Sequence, residues 1–440
     1  MEIGLVPRYL RSLRTFYYTP DQLKALQSRK LRRTIRHAYE HVPFYRKLFR
    51  ERGWTPEDFG KLDDLRKIPL LTRDELVKDY KGSLMAKGMK PALVRVTSGT
   101  TGESARVAFS NEFQETKSAL IFRRLTLNFG MRPWHRMVTF WDPPWRWRNT
   151  EAEDGTRHRT TQVLELPFIR AFGRPIPQIK IIQGGSTDTR GEAEALARLK
   201  PDYIFCRPTH LRRVAESLSE LGLKVKPRTI IGTNEVMTDT CKNELEESFG
   251  AKVLRPYGGS EGGPMGDECR FGTGIHLNVD HYIIEVLKDG EQVAPGEMGE
   301  VTITHLHNPI MPLMRYPIGD FVELGEPERC ECGSSLPKLN NIQGRVKDRI
   351  IARDGTRIAP LPIANHIEAE FGFKDFQIVQ SAPRSFFLRL PRGSRASDAE
   401  MKGLRAYLGQ LVGAEVDVEF QTREEREQWL KERPVVCSVA

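Results

Sequence analysis

Long apolar runs are missing from these 440 residues: no window reaches eighteen uninterrupted apolar positions, so a membrane-spanning helix is not expected. The opening stretch MEIGLVPRYLRSLRTFYY also lacks the apolar core and small-residue cleavage site of a secretory signal, which leads us to expect a soluble, cytoplasmic protein. Cysteine is scarce. Six residues with no regular framework argue against a disulfide scaffold and suit a reducing compartment. No lysine lies inside or just after the stretch VTSGTTGES (Val96 to Ser104), which disfavours a Walker-type phosphate loop. Acidic residues are outnumbered 58 to 68, giving a formal charge of +10, yet the basic charge is spread along the chain. Its densest run, Ser28 to Gly53, interleaves bases with Leu31, Ile35, Ala38 and Tyr39 at helical spacing. That pattern reads as the solvated face of an amphipathic helix, and no nucleic-acid recognition motif accompanies it.

With 39% hydrophobic residues the chain can bury a substantial core, enough for two or three domains. Residues 1 to 90 read as mostly helical, and Thr72 is placed to cap a helix starting near Arg73. From Val94, short β-branched runs alternate with helical segments, which predicts a mostly parallel sheet with helices on both faces. Ligands gather at the C-terminal ends of such strands, where SGTTG, IIGTNE and VLRPYGGSEGG are all expected. Residues 276 to 325 switch to strand and turn signals, with a β-hairpin around Asp289-Gly290. Beyond Gly344 a further unit is expected, with a helix near 362–371, strands near 376–390 and a helix near 398–412. The fold class is therefore α/β. A large domain, 1–343, comprises a helical region (1–90), an α/β core (94–265) and a β-rich part (266–343), and a small α+β domain covers 344–440.

Two stretches carry chemistry on their own terms. The small, bare SGTTG loop exposes backbone N–H groups and hydroxyls that can wrap a phosphate without side-chain bulk. Cys269 and His276 lie seven apart, and Cys330 and Cys332 flank one residue. Three thiolates and an imidazole make a closed tetrahedral set for zinc, here read as structural.

The order SGTTGES, GTNE, YGGSEGG, RYPIGD, GRVKD, together with HAYEHVPFYRKLFRERGWTPEDFGKLDDLRKIPLLTRDEL, resembles the adenylate-forming enzymes nearly end to end. The resemblance is to the branch of phenylacetate–CoA ligases and capsule-biosynthesis relatives. It implies attack of a carboxylate on the α-phosphate of ATP, giving an acyl-adenylate and pyrophosphate, then transfer of the acyl group to coenzyme A. It further implies that Ser98, Gly99, Thr100, Thr101 and Gly102 wrap the β- and γ-phosphates. Tyr257 and Gly258 would lie at the adenine, Ser260 at the phosphate in place of the usual Thr, and Glu261 on Mg²⁺. Asp320 would accept both ribose hydroxyls and Glu235 would line the adenine. Arg345 would touch the ribose, Lys347 would sit at the pivot of a mobile small domain, and Lys431 would be the adenylation lysine. Some ligases of this branch carry a metal at positions matching the Cys/His set.

The chain departs from the family pattern in places: Glu103 and Ser104 replace Pro-Lys after the loop, and Leu430 replaces a glycine. The expected partners are a small carboxylic acid, ATP and CoA, without nucleic acid or membrane, in a homodimer like the relatives. Acyl transfer to an amine, AMP transfer to another acceptor, or a nucleotide binder without catalysis would share the same motifs. The acid itself is not named by the sequence; the segment 135–190, with Trp141, Trp145 and Trp147 beside Arg146 and Arg148, is where its pocket is expected.

Overall fold

The computed structural model describes residues 4–79, 82–96, 105–132, 134–140, 162–164, 179–181, 189–233, 235–271, 274–391, 397–413, 416–421 and 434–439. The chain forms two compact units, one from Met1–Arg132 and Leu254–Asn341, the other from Pro133–Val253 and Ile342–Ala440.

The first unit opens with helices α1 (Leu5–Thr15), α2 (Pro20–His41), α3 (Pro43–Glu51) and α4 (Arg73–Lys78). The basic run behaves as its spacing requires: Leu31, Ile35 and Ala38 of α2 are buried while Arg29, Arg32, Arg33 and Arg36 stay exposed. Thr72 caps α4 as expected, with its N–H donating to Glu75 Oε2 at 2.7 Å and its Oγ1 accepting from the Glu75 N–H at 3.2 Å. Helix α5 (Asn111–Arg123) follows a hairpin of strands Leu93–Val96 and Arg106–Phe109. The rest is an eight-stranded sheet. From one edge to the other its strands are Glu291–Gln292, Tyr282–Lys288, Met298–His305, Tyr316–Leu324, Lys338–Arg345, Ile275–Leu277, Gly263–Glu268 and Pro256–Gly259. The Asp289-Gly290 hairpin is there, closing Leu287 against Gln292.

In the second unit the strands Ile179–Ile181, Met137–Thr139, Tyr203–Cys206 and Thr229–Gly232 run parallel, with Gln162–Leu164 antiparallel at one edge and Lys252–Leu254 at the other. Helices α6 (Thr189–Leu199), α7 (Pro208–Glu220) and α8 (Asp239–Phe249) supply Leu196, Leu211, Val214 and Leu245 to one core with Ile204, Ile230 and Val253. A second core joins α9 (Pro360–Phe371), α10 (Asp398–Val412) and a four-stranded sheet through Ile363, Ile367, Leu388 and Leu404. Both helices lie where the sequence predicts them.

One expectation needs correction. Gly232–Glu235 follows a strand of the parallel sheet and Tyr257–Gly263 comes shortly after that sheet's edge strand Lys252–Leu254, but SGTTG follows a strand outside it. The SGTTG stretch lies between two antiparallel strands, and Tyr257–Gly259 pair antiparallel with the strand Gly263–Glu268. A β-branched run ending in glycine reads the same in either sheet; its pairing partner decides which it joins, and that is not local information.

A buried ion pair ties α5 to the sheet of the first unit. Arg123, 1% exposed, donates to Asp280 Oδ2 at 2.6 Å, to Asp280 Oδ1 at 3.2 Å, to Asn278 Oδ1 at 2.6 Å and to the Ser12 carbonyl at 3.0 Å. Burial, the largest single influence, would push the Asp280 carboxyl up, but the Arg123 guanidinium and the His281 ring together outweigh it and hold the carboxyl well below its ordinary value. Arg123→Met would strand that charge. The expected loss is on the order of 3 kcal/mol, read as a shift of the denaturation midpoint, and an unchanged midpoint would contradict this reading of the network.

Candidate functional site

Glycines shape the turn that carries Glu261. Gly259 opposes Gly263 and Gly258 opposes Pro264 across the hairpin, so tightly that a Cβ on Gly258 would come 2.2 Å from the Gly263 carbonyl oxygen. Gly263 itself takes φ +71°, the left-handed region that favours glycine. Tyr282 Oη donates to the Gly262 carbonyl at 2.6 Å and closes the turn from below. The Glu261 side chain is thereby held 8% exposed, with Ser260 beside it in the chain. Tyr257, from the same hairpin, donates through Oη to Asp320 Oδ2 at 3.0 Å, and both side chains are buried. The structure thus brings together two residues 63 positions apart to which the family resemblance gives roles on one nucleotide. Next to them in the chain, Arg315 is fully engaged: it adopts φ +49° and donates to Glu285 Oε2 at 3.2 Å and to the carbonyls of Arg66 and Ile68 at 3.1 and 2.9 Å. It braces the strand that presents Asp320.

Glu235, Arg345 and Lys347 belong to the other unit. Glu235 accepts from the Thr209 N–H and, at 2.9 Å, from Thr209 Oγ1, so its carboxylate caps the first turn of α7. Burial pushes its carboxyl up, and the two Thr209 donors oppose that rise. Arg345 is half-buried and Lys347 exposed, just after Gly344, whose φ of +114° lets the chain pass within reach of Pro360. Ser98 to Gly102, Lys431 and the Trp141–Trp147 segment lie outside the described residues.

The cysteine set converges. Cys269 follows one strand, His276 sits on the next, and Cys330 and Cys332 come from the loop ahead of Lys338–Arg345. Their four ligand atoms lie within 4.8 Å of one another, and all but Cys332 are buried. Cys269 and Cys330 sulfurs are 3.8 Å apart and Cys332 Sγ is 3.5 Å from His276 Nε2. Thiolates at zinc–sulfur bond length and the tetrahedral angle stand about 3.8 Å apart, and a thiolate and an imidazole nitrogen about 3.6 Å, so the donor set fits that ion. The hydrogen bond from Cys332 holds the Cys269 thiol below its ordinary value, toward the thiolate a metal needs. Gly333 at φ +86° turns the chain between the pair and Ser334, which donates to the Phe16 carbonyl at 3.0 Å. The Phe16 ring meets His276 edge-on at 6.2 Å.

Sequence reasoning missed the supports of these sites: Tyr282 under the Glu261 turn, Arg315 behind Asp320, Phe16 and Ser334 around the thiols. Each acts across a long stretch of chain and has no local motif.

Comparisons with known proteins bear on this arrangement. No family model matches the sequence. The phenylacetate–coenzyme A ligase of Thermus thermophilus is 28% identical over 353 residues, covering 78% of this chain and 74% of the relative. The enzyme of the same name from Escherichia coli is 28% identical over 357 residues, 79% of this chain and 76% of its own. Among solved structures, a 2-hydroxyisobutyryl-CoA ligase in the postadenylation state superposes with a TM-score of 0.71 at 20% identity, over 93% of this chain and 88% of that one. That likeness is one of fold.

Proposed function

As a homologue of the phenylacetate–coenzyme A ligases with the fold of the adenylate-forming enzymes, this chain is, we propose, an ATP-dependent acid ligase that makes an acyl-adenylate and passes the acyl group to coenzyme A. The observation that carries the reading is the Tyr257–Asp320 hydrogen bond beside the Glu261 turn. It supports a single nucleotide seat built from motifs that lie far apart in the chain.

The roles follow from the donors each residue offers. Asp320 accepts the ribose hydroxyls; an ionised carboxylate has about four lone-pair sites and one bond from Tyr257 does not exhaust them. The Tyr257 ring, fixed by that bond, covers the adenine. Ser98, Gly99, Thr100, Thr101 and Gly102 donate to the β- and γ-phosphates, with Ser260 at the α-phosphate. Glu261 would hold Mg²⁺, an oxygen-seeking ion that neutralises phosphate charge when bound. Lys431 stabilises charge at the α-phosphate and carboxylate, and Arg345 and Lys347 serve the ribose and the pivot of a small domain from Gly344 onward. Glu235 acts indirectly, by setting α7 at the end of the parallel strands.

Pyrophosphate release from ATP across a panel of aryl and aliphatic acids, with and without CoA, tests the reading. Release that needs one acid and accelerates with CoA is expected. Release indifferent to CoA would redirect the acyl group to an amine or another acceptor, and no release across the panel would overturn the ligase.

Cys269, His276, Cys330 and Cys332 would hold zinc as a structural ion that supplies cross-linking rather than chemistry. Cys330→Ser is expected to take the zinc-to-protein ratio from near one to near zero by elemental analysis, and to lower the melting temperature by several degrees in the same preparation. Unchanged zinc content would remove the site.

A further inference from the structure

Two separate cores make up the second unit. One gathers residues between Val138 and Val253, the other residues between Ile350 and Val435, and among the described residues they share no member. The chain passes through the first unit between the segments Pro133–Val253 and Ile342–Ala440, so no short linker holds the two cores together. A polar seam joins them. Glu368 of α9 accepts from Thr238 Oγ1 at 2.6 Å and from both terminal nitrogens of Arg212, on α7, at 3.4 and 3.5 Å, and all three side chains are buried. Arg212 also donates to the Lys374 carbonyl at 3.2 Å and stands 3.6 Å from Glu244. Asn365 accepts from the Asp239 N–H at 3.0 Å and donates back to Asp239 Oδ2 at 2.8 Å, while Lys374 Nζ lies 2.6 Å from Glu244 Oε1.

An apolar seam resists parting because water would then cover hydrocarbon. Arg212 and Glu368 behave differently: parting restores the hydration that burial took from them, so desolvation and attraction largely cancel. Their bonds of 3.4 and 3.5 Å are also longer than the usual range, which leaves the attraction below its maximum. Such a contact can open and close at little cost. Its residues also lie next to Glu235. Thr209, which bonds Glu235, is three residues ahead of Arg212 on α7, the spacing of one helix face. Thr238 is three residues beyond Glu235 and caps α8 by accepting from the Cys241 N–H at 3.2 Å.

We infer that Arg212, Thr238, Asp239, Asn365 and Glu368 form a releasable latch that holds α9 on α7 and α8, and that a nucleotide at Glu235 tightens it. The latch rests on the seam; its link to the nucleotide rests on the adenylation reading above. A site that takes ATP and an acid and later admits CoA has to open between the two, and a polar latch permits that without exposing either core. The five are positioning residues. Nucleotide bound at Glu235 would order the short segment from Glu235 to Thr238 and so keep Thr238 on Glu368.

Asp239 supplies the probe, because its amide stands in the first turn of α8, where no partner within the helix exists, and its bond to Asn365 crosses the seam. The test is hydrogen exchange of the full chain, read in peptides covering Asp239 and α9 with α10 as the reference, with and without ATP. It compares the wild type, Arg212→Gln, Glu368→Gln and the double variant Arg212→Met with Glu368→Met. Each single variant is expected to speed exchange at Asp239 about tenfold, since one buried charge is left without its partner and opening hydrates it. The double variant, with an apolar seam, is expected to exchange about threefold more slowly than the wild type, and α10 should not change in any variant. ATP is expected to slow the wild type by a factor of about three or more. In turnover the double variant should lose kcat about tenfold at unchanged KM, because the seam no longer releases; a merely structural pair replaced by apolar side chains would leave kcat alone. Unchanged exchange in both single variants, α10 speeding in step with Asp239, a double variant that exchanges as fast as the single ones, or slowed exchange with wild-type kcat would overturn the latch. ATP without effect on the wild type would remove its link to the nucleotide. A chain whose Asp239 exchange responds to Arg212 and Glu368 but which turns over no acid would retain the latch and lose the ligase reading.

Discussion

Glu261→Gln is expected to release pyrophosphate at least about a hundredfold more slowly than the wild type at saturating ATP and acid, with the melting temperature unchanged. The magnitude is that of removing one charged contact aimed at the reacting phosphates. The substitution keeps the side chain's volume in its place between Gly259 and the strand below, so the turn closed by Tyr282 survives. What it removes is the negative charge that would hold Mg²⁺. A rate close to wild type, or a shift in ATP affinity without loss of turnover, would take Glu261 out of the metal role. The magnesium dependence should also flatten, which separates a lost ligand from general damage.

Acid should unfold this protein early. His281 and His305 are buried in the first unit and His307 is largely so, and burial, the largest cause in each, lowers them to about 3, 4 and 4. All three stay neutral in the folded chain, whereas in the unfolded chain they protonate near pH 6.5. A histidine whose folded value is depressed contributes stability that is present above the unfolded value and is lost as pH falls below it. Each therefore weakens the fold by up to about 1.4 kcal/mol per pH unit between roughly pH 6.5 and 4. Asp267 works the other way. Burial raises it to about 6, so protonating it returns stability below that pH. Glu235, Glu285 and Glu368, also raised by burial, return some more. The melting temperature is expected to fall from pH 6.5 to 5 as the three histidines charge in the unfolded chain, with the raised carboxyls moderating the slope. A flat or rising profile there would show that the three histidines are already charged in the fold. Replacing His305, which packs 5.6 Å from Phe113 and 6.0 Å from Tyr282, by Gln should reduce the slope by one proton.

Local physics was legible in the sequence. The Thr72 cap, the Asp289-Gly290 hairpin and the α10 boundaries Asp398–Val412 follow from side chains within a few residues of one another. Cys269, His276, Cys330 and Cys332 were readable as one set because so few thiols compete for the role. Tyr257 and Asp320 could be paired only through the order of motifs, since nothing near either residue names the other. The Arg123–Asp280 pair spans 157 residues and so has no signature in the linear chain. The misplaced strand ends have the same origin: composition identifies a strand, while its neighbour in the sheet is fixed by tertiary pairing.

The bond from Ser334 to the Phe16 carbonyl bridges 318 residues, and the unit it closes is interrupted by the whole of Pro133–Val253. At ribosomal rates of about 5–20 residues per second, roughly 15 to 60 s separate the synthesis of these two partners. The first helices therefore leave the ribosome long before the thiol loop that covers Phe16 exists. Until then α1 and α2 lack their sheet, and Leu23, Leu26, Leu31 and Ile35 remain without it. Translation speed and chaperone access over that interval should limit the yield of this protein more than its final stability does.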